Sequence, residues 1–346
     1  MEQPTTNTSN FLDWVEIKNF KSIKDLRLDC KRVNIFIGKP NVGKSNILEA
    51  LGLLGNLNIS QQERFLEKSL RYTNLKDLFY DFDISQKIEI QIRQRIVSLE
   101  VIDSDDADKK TFNLYYQTKD NSTITLSESG LSELFQFRKT LNSPVKKYDF
   151  RNLLTFKNPR SEYLYPPDGD NLYAVIYRDK GMWEEFAKLF EEQGLELVLS
   201  TNDQNILLQK RTGHLAYQYP YFSIADTFRR FMFYIAAIES NKDSVLVFEE
   251  PEVHSFPPYT QDLAYRMIYS ETNQFFISTH SPYLLQTLIS NLADDQLQVF
   301  VTYYDNYETK AKALTPEELS FVQEYSTDVF FNLDRFIPNV HSASVV

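Results

Sequence analysis

Eight consecutive residues constrain this chain more than any others. They are Gly38-Lys39-Pro40-Asn41-Val42-Gly43-Lys44-Ser45, a match to G-x-x-x-x-G-K-[ST]. The apolar run Val33 to Ile37 precedes the window, and Asn46-Ile47-Leu48-Glu49-Ala50-Leu51 follows with helical spacing, so it joins a strand to a helix. In that setting successive backbone N–H groups wrap phosphate at a helix N-terminus, where the dipole favours negative charge. Lys44 then reaches the β and γ phosphates of a nucleotide, and the Ser45 hydroxyl ligates Mg²⁺. A glycine turn capping a helix is the plainer alternative. Against it, the chain has only nine glycines in 346 residues, where average usage of about 7% gives roughly two dozen. Two of so few inside one phosphate-binding spacing carry weight.

Downstream, Val245-Leu246-Val247-Phe248 is an apolar strand that runs into Glu249-Glu250-Pro251-Glu252. In a parallel sheet this places paired acids at the carboxyl edge, where open α/β folds bind ligands. Glu249 there serves the Mg²⁺ shell, directly or through water, and Glu250 acts as general base toward the attacking water. Adjacent acids also cap strands without any chemistry. A third strand, Gln274 to Ile277, leads into Ser278-Thr279-His280-Ser281-Pro282, and His280 follows Glu250 by 30 positions with one helix between them. A neighbouring strand delivers that imidazole to the same edge, although a histidine after a strand is more often structural.

Strands alternating with helices from Ala225 to Ser290 indicate a parallel sheet covered on both faces, while KIEIQIR, SLEVI, FNLYYQ and TITL between 87 and 126 read as an antiparallel meander. Helix is also predicted near 59–72, and RLDCKRVNIFIG (27–38) reads as one strand that ends at Gly38. The net charge of -11 argues against a surface that coats nucleic acid. One local exception runs from Arg138 to Arg160, with Lys139, Lys146, Lys147, Arg151 and Lys157 against the single acid Asp149. It reads either as a DNA contact or as a solvated loop and helix face. The lone Cys30 forms no internal disulfide, the N-terminus has no signal-peptide pattern, and no apolar run approaches a membrane span, so the cytoplasm is the expected location and no membrane partner is expected.

Together, NFKSIKDLRLD (19–29), GKPNVGKSNILEAL, FEEPEVH and FISTHSPYLL resemble the ABC-type ATPases of the SMC, RecF and OLD (overcoming lysogenisation defect) group, and PPDGDNLYAVIY resembles a segment of its single-head AAA family members. Glu249 in place of the usual Asp is similar to the OLD branch. The likeness covers residues 12 to about 60 and 160 to 290. It implies an α/β P-loop NTPase of ABC/SMC-head type, a mixed sheet with an antiparallel β subdomain and an inserted helical subdomain. The implied division is a disordered tail at 1–10, an N-terminal ATPase lobe at 11–130, an inserted helical or mixed subdomain at 131–215, a C-terminal ATPase lobe at 216–310 and an extension at 311–346. By the same likeness ATP and Mg²⁺ are the cofactors, Gly38, Asn41, Gly43, Lys44, Ser45 and Asn46 hold the triphosphate, and Ser45 and Glu249 serve the metal. Glu250 and His280 are then catalytic, and Lys21 and Ser22 lie near the nucleotide.

One motif departs from the group. Such ATPases hydrolyse ATP between two heads, each presenting a Ser-x-Gly segment to the other's nucleotide. The candidate here, Phe222-Ser223-Ile224-Ala225-Asp226-Thr227-Phe228-Arg229-Arg230, has Ala225 or Asp226 where the glycine belongs. Ser223 and Asp226 also have the spacing of a helix capping box. No acid cluster of the Toprim nuclease kind follows Pro282. Three readings result: an ATP-gated homodimerising switch for a separate effector, a non-hydrolysing nucleotide-stabilised scaffold, or a RecF-like DNA-repair ATPase contacting DNA through 138–160.

Overall fold

A computed structural model of the chain describes residues 9–56, 64–93, 95–102, 110–117, 121–136, 143–157, 161–324 and 329–338. In chain order it begins with β1 (Trp14–Phe20), β2 (Ile23–Asp29), β3 (Val33–Ile37) and α1 (Lys44–Gly55). Next come β4 (Ile88–Ile92), β5 (Arg95–Ile102), β6 (Thr111–Gln117), β7 (Ser122–Ser127), β8 (Ser132–Gln136) and β9 (Val145–Tyr148). Helices α2 (Leu172–Arg178) and α3 (Lys180–Glu191) precede β10 (Glu196–Ser200), β11 (Asn205–Thr212) and β12 (Leu215–Pro220). The chain continues through α4 (Asp226–Glu239), β13 (Ser244–Glu249), α5 (Pro257–Tyr269), β14 (Asn273–Ser278) and α6 (Pro282–Asn291). It closes with β15 (Leu297–Asp305), β16 (Glu308–Ala313) and α7 (Pro316–Glu324).

Among the described residues these strands form three sheets. A seven-stranded antiparallel sheet has the order β2-β1-β4-β5-β6-β7-β8, a six-stranded sheet the order β16-β15-β3-β14-β13-β9, and a small one the order β10-β11-β12. In the six-stranded sheet β15, β3, β14, β13 and β9 are parallel and only the edge strand β16 runs antiparallel.

Helix α1 lies between the two large sheets. Its Ile47, Leu48, Leu51 and Leu54 share one core with Val15, Ile17, Ile88 and Ile90 on one side and Phe36, Val245, Val247 and Phe276 on the other. The alternate residues Ile35, Ile37, Leu246, Phe248, Phe275 and Ile277 enter a second core against α4, α5 and α6. These strands read as continuous apolar runs because both faces of the sheet are covered.

The structure departs from the sequence reading in three places. The run 27–38, read as one strand, belongs to β2 and β3, which lie in different sheets. Where helix was predicted near 59–72, residues 57–63 lie outside the described ones and Phe65–Lys68 is a short 3₁₀ turn. The third is β9, inside the stretch read as basic loop and helix. It pairs in parallel with β13, from Val145 opposite Val245 to Tyr148 opposite Phe248, and Lys146 and Lys147 are only 6% and 5% exposed. The central lysines of the expected DNA contact are therefore inside the protein and form no solvated face. Arg138, Lys139 and Arg160 lie outside the described residues, while Arg151 and Lys157 are exposed. Among the described residues no helix is long and apolar enough to cross a membrane.

Candidate nucleotide site

The phosphate loop leaves β3 at its carboxyl end and enters α1 through Gly43, whose φ of 96° puts the N-cap in the left-handed region that favours glycine. A Cβ there would stand 2.0 Å from the Thr309 hydroxyl oxygen, and one on Gly38 would stand 2.3 Å from the Thr302 carbonyl oxygen. Both glycines are thus required by close approach of β15 and β16 as well as by phosphate. Thr309 buttresses the loop: its hydroxyl donates to the Val42 carbonyl at 3.0 Å and lies 2.6 Å from the Ser22 hydroxyl, to which Asn46 also donates at 2.6 Å.

Lys44 is buried, and its Nζ donates to the carbonyls of Gly38 and Lys39, each at 2.9 Å. Burial pushes its ammonium below the ordinary lysine value, against the pull of Glu250 and Glu249. The Ser45 hydroxyl donates to the Glu249 carboxylate. Two cations flank that carboxylate, Arg71 Nη2 at 3.6 Å and Lys147 Nζ at 3.9 Å, and Lys147 also binds Asp149 at 2.6 Å.

Strands β13 and β14 are neighbours with Glu249 opposite Ser278, so the residues that follow them meet. His280 Nε2 lies 3.5 Å from Glu250 Oε1. Glu250 takes a φ of 44°, uncommon for a side-chain-bearing residue, while its N–H donates to the Ser278 carbonyl at 3.0 Å. Burial first, and Lys44 nearby second, lower the His280 pKa despite Glu250, which keeps the imidazole neutral near pH 7. Glu252 anchors the histidine loop: its Oε1 accepts from the Thr279 hydroxyl at 2.6 Å and from the His280 N–H at 3.0 Å.

A cleft of about 770 Å³ opens over this arrangement, lined by Ser22, by Lys39 to Asn46, and by Arg71, Glu250, His280 and Tyr304. It gathers Asn41, Gly43, Lys44, Ser45, Asn46 and Ser22 with the two catalytic candidates, while Gly38 shapes the loop and Glu249 sits behind Ser45. Two expected residues stand apart from it. The Lys21 ammonium is held by the Glu49 carboxylate and by the Arg71 carbonyl at 2.7 Å, so it is a strut beneath the loop. Ser223 is exposed on the turn before α4 and donates to the Pro220 carbonyl at 2.7 Å. The expected capping box does not form, since the N-cap is Ala225 and no side chain caps it. Asp226 instead receives Arg230 at 2.7 Å, Arg229 at 3.2 Å and His254 Nδ1 at 2.9 Å. Although burial opposes it, these donors hold its carboxyl below the usual range.

Sequence reasoning missed Arg71, Tyr304, Thr309 and Glu252. The first three carry no local motif; Glu252 stood in the FEEPEVH run without an assigned role. For Mg²⁺, one hydroxyl and one carboxylate beside a phosphate-binding loop suit a cation that takes one or two protein oxygens and completes its shell from water and phosphate.

Residues 11–167 match the family model described as an AAA ATPase domain. Over those residues the chain is similar to an ATPase domain. A Helicobacter pylori (strain ATCC 700392 / 26695) protein named ATP/GTP phosphatase is 21% identical over 372 residues, spanning 91% of this chain and 99% of that protein. Among solved structures, an SMC head bound to the C-winged helix domain of ScpA aligns at 16% identity and a TM-score of 0.47 over 89% of this chain and 99% of that one. The SMC head domain from Thermotoga maritima aligns at 12% identity and 0.42 over 88% and 99%.

Proposed function

We propose that this ATPase is an ATP-gated switch: two copies bind ATP with Mg²⁺, close on one another, hydrolyse, and so control a separate effector protein. The observation that carries the reading is the convergence of Lys44, the Ser45–Glu249 pair and the Glu250–His280 pair on one cleft. Lys44 and the amides after Gly43 would neutralise the phosphates, and Ser45 with Glu249 would hold Mg²⁺. When bound, that ion would supply positive charge to offset the charge of the phosphates. The Glu250 carboxylate takes the proton of the attacking water, and neutral His280 beside it orients that water or the γ-phosphate by hydrogen bonding. Arg71 adds a cation to the same cleft.

The likeness to the OLD group supports an effector of nuclease or toxin type, in anti-phage defence or DNA maintenance. Asp226, which would repel a second copy's phosphate if its charge were free, is paired with three basic groups, which favours closure. The missing signature glycine favours the second reading, a nucleotide-stabilised scaffold that does not hydrolyse. Phosphate release decides between them. The switch predicts turnover above background that Lys44→Ala reduces by at least about 100-fold; wild-type release no faster than that variant's would leave the scaffold. The DNA reading rests only on Arg151 and Lys157 among the described residues of 138–160.

A further inference from the structure

Among the described residues the three sheets end in six edge strands. β2 has Lys24, Asp25, Arg27 and Asp29, β10 has Glu196, and β16 has Glu308, Lys310 and Lys312, while the two lysines of β9 are buried. Charges of this kind keep open edges from recruiting another strand. β12, Leu215-Ala216-Tyr217-Gln218-Tyr219-Pro220, carries none.

It is also exposed along almost its whole length. The hairpin turns at Gly213-His214, between the paired Thr212 and Leu215, with Gly213 at φ 61°. From Lys210 to Tyr219 every residue is exposed, whereas Ile206 and Leu208 root the base of β11 in the core. Leu215, Tyr217 and Tyr219 share one face and are 61%, 51% and 43% exposed, an aromatic stripe with Lys210 opposite Tyr217 on the adjoining strand. A two-residue hairpin makes Thr212 and Leu215 a hydrogen-bonded pair, so by alternation the peptide groups of Ala216 and Gln218 point away from β11. Among the described residues no strand pairs with that side.

We propose that β12 is a docking edge onto which a partner protein adds an extended, acidic segment as a fourth strand. Main-chain hydrogen bonds to Ala216 and Gln218 would supply affinity, and alternate side chains laid on Leu215, Tyr217 and Tyr219 would supply specificity. The acidic character follows from charge complementarity: from Gln204 to Ala225 the chain has Lys210, Arg211 and His214 and no Asp or Glu, within a protein of net charge -11, and although Arg211 lies 3.8 Å from Glu196 of β10, Lys210 stands opposite Tyr217 of the stripe. A second copy would bring the same cations to the same edge. Two firm cations are too few for the stripe of Lys and Arg that holds nucleic acid. The edge stands whether or not the chain hydrolyses ATP.

The test pans a displayed library of random ten-residue peptides against the full-length protein. Acidic sequences should enrich, and their affinity should fall at least about tenfold both in Gln218→Pro, which removes one outward N–H from an edge position that tolerates proline, and in Lys210→Glu. Phosphate release and the unfolding midpoint should stay at wild-type values in both variants, which separates failure of this edge from failure of the switch. Enriched peptides that bind the variants as well as wild type, or a set with no excess of acids, would overturn the proposal. So would a dT12 oligonucleotide that binds wild type and is lost in Tyr217→Ala, or a dimer in sedimentation that Gln218→Pro dissolves.

Discussion

Glu252 shows how one side chain can fix the loop that carries a proposed catalytic histidine. Its Oε1 holds the two groups that fix His280, while Oε2 is buried with no partner, and burial raises its pKa. Glu252→Ala should lower kcat by about 10- to 100-fold with KM little changed, and Glu252→Gln, which keeps the acceptor, should recover most of it. Equal kcat in the two variants would remove the anchoring role. Lys146 makes a different test. Its ammonium donates to Asn241 and, at 3.2 Å, to the Ser244 hydroxyl, lies 3.4 Å from the Tyr163 ring centroid, and is lowered by burial from 10.5 to about 8. Below pH 8 folded and unfolded states both hold the proton and the full burial cost applies. Between about pH 8 and 10.5 the folded protein releases it first, so stability rises by up to about 3 kcal/mol. Urea midpoints at pH 7.5 and 10 should show that rise in wild type and a smaller one in Lys146→Met; parallel changes would refute it. Neither residue's role was legible in the sequence, because each depends on how far water is excluded by partners distant along the chain.

Among the elements, β9 and α1 define each other. A Cβ on Gly55 would stand 2.6 Å from the Val145 carbonyl oxygen, so the helix rests directly on the strand backbone. Lys147 then lies within reach of Glu249 on β13. Reversing both lysines, Lys146→Glu with Lys147→Glu, should lose on the order of 3–5 kcal/mol for each unpaired buried charge and unfold the six-stranded sheet in mild urea. An unchanged midpoint would mean that β9 is not part of it. From sequence the basic stretch read as surface, since lysine is rarely buried and four residues show no usable period. Elements with long apolar or amphipathic runs were legible: α4, β13, α5, β14 and α6 all stand where their patterns put them, because each pattern is set by which faces are covered.

At the scale of the whole molecule, α1 is clamped between two sheets and presents its N-terminus to one cleft, while the segment around Ser223 faces outward elsewhere. The proposed closure would bring that segment of a second copy to the cleft. Glu250→Gln, which binds nucleotide but cannot accept the proton, should elute as a dimer or larger assembly with ATP and Mg²⁺ and as a smaller species without them; identical elution would rule out closure. The nucleotide chemistry was determined by sequence alone, because the donors that wrap phosphate are contiguous backbone groups and their spacing is visible in eight letters. So was the arrival of Glu250 and His280 at one edge, since parallel strands joined by a helix end on the same side. Tertiary structure alone decided that Thr309 braces the loop from 267 positions away, that Arg71 and Tyr304 enter the cleft, and that two lysines lie buried while a tyrosine stripe lies bare. Those outcomes depend on contacts between distant segments and on the water they exclude, which no local spacing encodes.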